Sequence, residues 1–334
     1  MSDSDIAEIG AATAGVVKRQ HEKAPSTMLR AKSHEVLILT SGGADGAFGA
    51  GALVSWTRSG HRPVFDVVSG VSTGALQAPL AFLGPYYDAM LEEVFTGSKT
   101  SDVLSFNGFS GLFGMGLYGS APLRAKLFRL LDDNVLDQIA DAHRKGRRLY
   151  VTTTDLTNGR TVVWDMGAIA SSAGPERQSR FIGILLASIA VPGLIDPVTI
   201  SRSGSELTEV HGDGGVKTPV PLQRSMMVGT ARNRHVTVIA NGHVSDIAAN
   251  ISSSRSTLPL ARRAVSLLLR RLLALSSEKA RLIASKERAS FSLISLPLTV
   301  PEAVDPFAFD PIEMRKLFEV GKNLDTAVWS GRKN

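Results

Sequence analysis

Apolar residues in this chain fall into short dense runs, divided by glycine-rich turns and by longer stretches with helical spacing. Residues 35–40 (Glu-Val-Leu-Ile-Leu-Thr) are nearly all apolar and end in glycines, the pattern of a strand buried on both faces. Residues 47–59 have the small-residue composition of a helix packed closely on that strand. Residues 65–69 predict a second strand and residues 75–83 the helix behind it. This strand-helix-strand-helix order predicts an α/β fold around a mostly parallel sheet with right-handed crossovers. Helical periodicity recurs over 123–136 and over 178–190, where Pro192 follows the end. Residues 148–154 and 161–165 predict paired strands about the Asn158-Gly159 turn. Residues 195–201 and 206–211 predict a second pair, 235–241 a further central strand, and 310–329 a last helix.

Three segments stand outside this alternation. Residues 1–33 are polar and alanine-rich, and read as a flexible lead-in before the domain proper at 34–334. Residues 96–120 interleave six glycines with Phe106, Phe109, Phe113, Tyr118 and other apolar side chains. Two readings stay open there, a lid over a lipid-binding cleft and a packed irregular connector. Residues 259–285, in a C-terminal helical portion beginning at about 256, predict a long helix with Arg262, Arg263, Arg270, Arg271, Lys279 and Arg281 beside a leucine-rich face. The expectation is a surface helix that buries its leucines against the sheet and keeps its arginines in water, with an anionic membrane as the other surface it could meet.

With 334 residues, 43% of them hydrophobic, the chain can bury a sizeable core. It has no cysteine, which excludes disulfides, thiolate metal ligands and a cysteine-linked lipid. The net charge of +6 suits anionic surfaces without choosing among them. The acidic start at Met1-Ser2-Asp3-Ser4-Asp5 does not read as a signal peptide, and Arg270 and Arg271 split the best apolar candidate for a membrane span. The expected location is cytoplasmic or peripheral to a membrane.

The chemistry concentrates in two motifs. Gly70-Val71-Ser72-Thr73-Gly74 puts a serine on a strand-to-helix turn so tight that glycine is needed on both sides, which projects the hydroxyl as a nucleophile. Before it, Ser41-Gly42-Gly43-Ala44-Asp45-Gly46 forms a glycine-rich loop between a strand and a helix, the shape of an oxyanion cradle.

Together with Asp213-Gly214-Gly215, these residues resemble the patatin-like phospholipases, a family of Ser-Asp acyl hydrolases whose motifs are Gly-Gly-Gly-x-Arg/Lys-Gly, Gly-x-Ser-x-Gly and Asp-Gly-Gly/Ala. Ala187-Ser188-Ile189-Ala190-Val191-Pro192 resembles the family's Ala-Ser-x-x-x-Pro segment, so the similarity covers about 34–245. The resemblance implies a three-layer α/β/α fold and a lipid or phospholipid substrate cut at a carboxylic ester. It also implies a Ser72 nucleophile, an Asp213 base, and no metal or organic cofactor. Gly214 and Gly215 would let the chain carry Asp213, on a loop just past a strand end, close to the elbow. The oxyanion is best assigned to the backbone N–H groups of Gly42, Gly43 and Ala44, with the following helix adding its positive end. Two positions depart from the pattern: Ser41 replaces the first glycine, and Asp45 replaces the basic residue. An acidic side chain at 45 is expected to weaken whatever bracing or headgroup attraction a basic one supplies. Ser188 and Pro192 are read as a helix end without chemistry.

Other readings remain. A Ser-His-Asp hydrolase would keep Ser72 and take His211, His235 or His243 as its base. A dinucleotide site would also use strand, glycine loop and helix, but Ser41 stands where its first glycine is needed. An inactive relative that only binds lipid would keep the fold without the chemistry. No nucleic-acid partner is expected, and the sequence leaves the oligomeric state open.

Overall fold

The computed structural model describes residues 33–107, 116–201, 208–228, 231, 233–244, 257–303 and 308–330, without the side chains of 257–266 and 330. The expected lead-in before Ser33 lies outside them.

The strands are β1 (His34–Leu39), β2 (Val67–Val71), β3 (Ser105–Phe106), β4 (Gly116–Gly119), β5 (Arg148–Asp155), β6 (Arg160–Asp165), β7 (Gly193–Ile195), β8 (Val198–Ser201), β9 (Thr208–Asp213), β10 (Arg234–Ala240) and β11 (Ser290–Ser295). Eight of them form one sheet in the order β11-β10-β1-β2-β5-β9-β8, with β6 also on β5. From β11 to β5 the pairing is parallel; β6, β9 and β8 add antiparallel neighbours. The main helices are α1 (Gly46–Arg58), α2 (Thr73–Leu83), α3 (Asp88–Thr96), α4 (Ala121–Leu130), α5 (Asp133–Arg144), α6 (Arg177–Ile189), α7 (Thr257–Lys286) and α8 (Pro311–Lys322).

Alternation along β1 explains the layering. Leu37 and Leu39 point to the side covered by α1, α2, α5, α6 and α8, where Phe48, Phe82, Leu136, Phe181 and Phe318 are fully buried. Val36 and Ile38 point to the other side, where α7 brings Leu273, Ala280 and Ala284 and the stretch before β10 brings Val220, Leu222, Met226 and Met227. The result is the α/β/α arrangement around a mostly parallel sheet. On the first side α8 lies so close to α1 that a Cβ at Gly51 or Gly321 would collide with the partner helix's backbone.

Several expectations are refined. The helix predicted over 123–136 is two helices, because Asp132 accepts the Val135 N–H at 3.0 Å and starts α5 afresh. The strand predicted over 195–201 is interrupted at Asp196-Pro197, where proline has no N–H to donate. Its first part, β7, joins β4 and β3 in a separate three-stranded sheet. The described ends of the 96–120 segment are therefore partly strand: the backbone at Gly116 runs so near Asp196 that a Cβ would sit 2.6 Å from the Asp196 nitrogen. Residues 108–115, the centre of the segment read as a lid or as a packed connector, lie outside the described residues. The tail is α8 and a short turn of helix, Ala327–Ser330.

The long helix departs most. Leu273, Ser277, Ala280 and Ala284 face the sheet, whereas Leu267, Leu268, Leu275 and Leu282 are exposed, so the leucines are divided between sheet and solvent. Arg270, expected in water, is mostly buried against Glu302. Among the described residues no helix is long and apolar enough to cross a membrane.

Candidate active site

Strand register brings the elbow and the distant aspartate together. Val71 pairs with Thr152 on β5, and Thr153, the next residue, pairs with Asp213 on β9. Asp213 thus sits one strand beyond the neighbour of β2, level with its end, as the last residue of its strand and not on the loop after it. The chain then turns back over β5: a Cβ at Gly214 would collide with the Thr152 carbonyl oxygen. The serine hydroxyl donates to Asp213 Oδ2 at 2.6 Å, and the Gly215 N–H donates to Asp213 Oδ1 at 2.6 Å. One carboxylate oxygen is oriented by backbone while the other faces the hydroxyl.

Both groups are nearly closed to solvent, Ser72 at 7% exposed and Asp213 at 3%. Burial pushes the Asp213 carboxyl up to about 6, against the two hydrogen bonds that favour the ionised form. Ser72 has φ 55° and ψ −128°, a backbone conformation that costs a non-glycine residue about 1–3 kcal/mol. Two contacts hold it there. Its N–H donates to Ser188 Oγ at 2.9 Å, and Ser188 Oγ donates to Thr152 O at 2.7 Å. Gly70 lies against the Gly74 carbonyl so closely that no side chain fits between. Ser188, read from sequence as a helix end, is therefore a brace for the elbow.

The glycine loop leaves β1 through Thr40 and enters a short 3-10 turn, Gly43–Asp45, that runs into α1. Asp45 donates its N–H to Gly42 O at 3.2 Å, and Gly46 donates to the carbonyls of Gly43 and Ala44. The first N–H groups of such a turn have no partner within it, which leaves those of Gly43 and Ala44 at the head of the helix with Gly42 before them. Side chains that sequence reasoning did not single out hold this loop. Asn241 donates its N–H to Thr40 Oγ1 at 2.9 Å and its Nδ2 to Thr40 O at 2.7 Å, and Gln77 Nε2 donates to Gly46 O at 2.6 Å. All three are buried. Gly42 packs on Asn241 with no room for a Cβ.

Asp45 does not loosen the loop. Its Oδ1 accepts the Ala303 N–H at 2.7 Å, tying the head of α1 to the segment after β11. Burial pushes its carboxyl up to about 7, with Glu302 and Glu313 adding to the rise while Arg270 opposes it. Glu302 in turn accepts the His243 N–H at 2.8 Å and pairs with Arg270 of α7.

None of the three histidines considered as a base meets Ser72. His211 is buried against Thr153 Oγ1 at 3.0 Å and Glu209 at 3.2 Å, His235 meets Ser290 Oγ at 2.5 Å, and His243 Nε2 faces the carbonyls of Val300 and Pro297. Among the described residues no three His, Asp or Glu side chains are grouped to hold a metal ion. An open groove of about 920 Å³, lined by Thr96, Lys99, Ile312, Arg315, Lys316 and Val320 among others, shares no residue with this site.

A family model described as patatin-like phospholipase matches residues 37–224, more than half of the chain. No curated protein matches. Among solved structures, the crystal structure of VipD from Legionella pneumophila is similar over 94% of this chain and 72% of its own, at 13% identity and a TM-score of 0.44.

Proposed function

The chain belongs to the patatin-like phospholipase family, and on that premise we propose that it is a lipid acyl hydrolase that cleaves carboxylic ester bonds of phospholipids or related lipids, with Ser72 as nucleophile and Asp213 as base. The observation that carries this reading is the 2.6 Å bond from the strained, buried Ser72 hydroxyl to Asp213 Oδ2, beside a glycine loop at a helix head.

In the acylation step Ser72 Oγ attacks the ester carbonyl carbon while Asp213 Oδ2 takes the hydroxyl proton. The carbonyl oxygen gains negative charge and is met by the N–H groups of Gly43 and Ala44, with Gly42 adjoining; losing one such donor costs about 3 kcal/mol in barrier. Collapse of this intermediate breaks the bond to the leaving alcohol, which receives the proton from Asp213. Water then attacks the acyl-serine, Asp213 takes its proton, and breakdown restores the serine hydroxyl and frees the carboxylic acid. A carboxyl held near 6 is a better proton acceptor than an ordinary aspartate and is still ionised at neutral pH. Gly215 keeps the accepting oxygen turned toward the serine throughout.

Ser72→Ala and Asp213→Asn are each expected to reduce turnover of a short-chain nitrophenyl ester by about 10³-fold or more while the circular-dichroism spectrum stays that of the parent. Full activity in either variant would reject the dyad.

A further inference from the structure

One polar group at the candidate site takes no part in the bonds described so far. Ser41, where the family pattern has a glycine, is partly exposed with Gly42 and Gly43 at the mouth of the site, and its side chain lies against Gly215. A Cβ built on Gly215 would stand 3.0 Å from Ser41 Oγ and 3.0 Å from Asp213 Oδ1, so at most twice that distance separates the two oxygens. One water molecule can span such a separation.

The backbone of Ser41 is fixed, because Thr40 Oγ1 donates to Ser41 O at 2.9 Å and itself receives the Asn241 N–H. Its hydroxyl is uncommitted: among the described residues Ser41 Oγ has no hydrogen-bond partner. The neighbouring hydroxyls are engaged. Ser188 Oγ links Ser72 to Thr152, Thr153 Oγ1 meets His211 and Trp164, and Thr154 Oγ1 donates to Asp213 O. Thr73 Oγ1, next along the chain from Ser72, lies instead toward Gly46 at the head of α1.

The second half of the proposed reaction creates a need that Ser41 can meet. Once Ser72 Oγ carries the acyl group it has no hydrogen to give, and Asp213 Oδ2 loses the donor it has in the resting enzyme. A water that donates to Oδ2 takes that place and attacks the acyl carbon. One partner does not orient a water, so its second hydrogen needs an acceptor as well.

We propose that Ser41 Oγ accepts that second hydrogen, and that Ser41 is a positioning residue for the water that hydrolyses the acyl-enzyme. The water oxygen bonds to the acyl carbon as its first proton passes to Asp213. Collapse then breaks the bond to Ser72 Oγ, which takes the proton back from Asp213. Ser41 itself gains and loses no proton. The inference rests on the hydrolase reading and deepens its second step.

The full chain and its Ser41→Ala and Ser41→Gly variants are mixed with p-nitrophenyl butyrate, an activated ester that acylates fast, and followed by steady-state kinetics and by the mass of the quenched intact protein. In both variants kcat is expected to fall by about fivefold, the worth of one neutral hydrogen bond, while kcat/KM, which reports acylation, stays within about twofold of the parent. KM accordingly falls with kcat, and the fraction of protein with a butyryl group on Ser72 rises. The acid limb of kcat/KM stays where Asp213 puts it. Alanine keeps the Cβ beside Gly215 and glycine removes it, so an effect confined to one variant would trace to packing and overturn the proposal. Unchanged kinetics in both would do the same, as would kcat and kcat/KM falling together with no build-up of butyryl-Ser72. A parent no more active than Ser72→Ala would instead remove the hydrolase reading, and this step with it.

Discussion

Ser72 combines a left-handed φ with two hydrogen bonds that each fix a different part of it. Ser188 holds its N–H and Asp213 receives its hydroxyl, so the strain of the turn is borne by the end of α6, itself bonded to Thr152 of β5, and by the end of β9 rather than released by rotating the residue. The charge state of Asp213 then sets when the hydroxyl has a base. Its folded-state value of about 6 lies above the ordinary aspartate range, and the acceptor form predominates only above it. Accordingly kcat/KM on a soluble ester should fall as pH drops through about 6 and level off above. A pH series of wild type and Asp213→Glu tests this: the limb should move with the substitution. A limb unmoved in Asp213→Glu and abolished by replacing one of the histidines would assign the base elsewhere. At this scale the sequence was legible where a residue's type and spacing carry the chemistry. The glycines around Ser72 and after Asp213 announce close backbone approach, and the structure shows that approach at Gly70 and Gly214. Ser188, Asn241 and Gln77 gave no such signal, because their partners are mostly backbone atoms that only the folded chain brings to them.

At the scale of elements, the glycine loop is held from both ends of the chain. Thr40 and Asn241 fix its entry, and Asp45 fixes its exit by accepting the Ala303 N–H. Asp45 is thereby a tether in the place where the family pattern has a basic residue, and it is an unusual one. Burial together with Glu302 and Glu313 outweighs Arg270 and the Ala303 hydrogen bond, and the carboxyl stays protonated up to about 7. The consequence for stability has a definite sign. Between the unfolded value of about 3.9 and the folded value of about 7 the native state binds more protons than the unfolded state, so this residue's contribution declines as pH rises across that window. Asparagine keeps an oxygen for Ala303 and cannot ionise. The unfolding free energy of Asp45→Asn should therefore gain on wild type by roughly 1 kcal/mol per pH unit between pH 5 and 7 and hold the gain above, as read by urea unfolding. A difference between the two proteins that does not change with pH would show that Asp45 is not buried in this way. No spacing rule pairs residue 45 with residue 303, which is why the tether was invisible beforehand.

For the whole molecule, the alternation of apolar runs and helical stretches was enough to read an α/β fold with a mostly parallel sheet, because buried parallel strands carry apolar-rich runs on both faces, as in β1, β2 and β10 with few polar interruptions. It failed where the pattern is short or shared. β11 is a half-buried edge strand whose alternation is masked by serines, and the strand over 195–201 was split by a proline into pieces that serve two sheets. α7 had the composition of a core-facing helix, and only the packing shows that its leucines are divided between sheet and solvent. The glycine loop, Ser72 and Asp213 converge at the ends of β1, β2 and β9, and Asp45 of that loop is tied to the segment that follows β11. The central claim is that this convergence makes one serine, of all those in the chain, an activated nucleophile. Treating the intact protein with a fluorophosphonate ester and mapping the adduct by peptide mass spectrometry measures it directly. The expected result is a single stoichiometric adduct on Ser72 that is absent or strongly slowed in Asp213→Asn; an unlabelled Ser72, or a label on another serine, would contradict it.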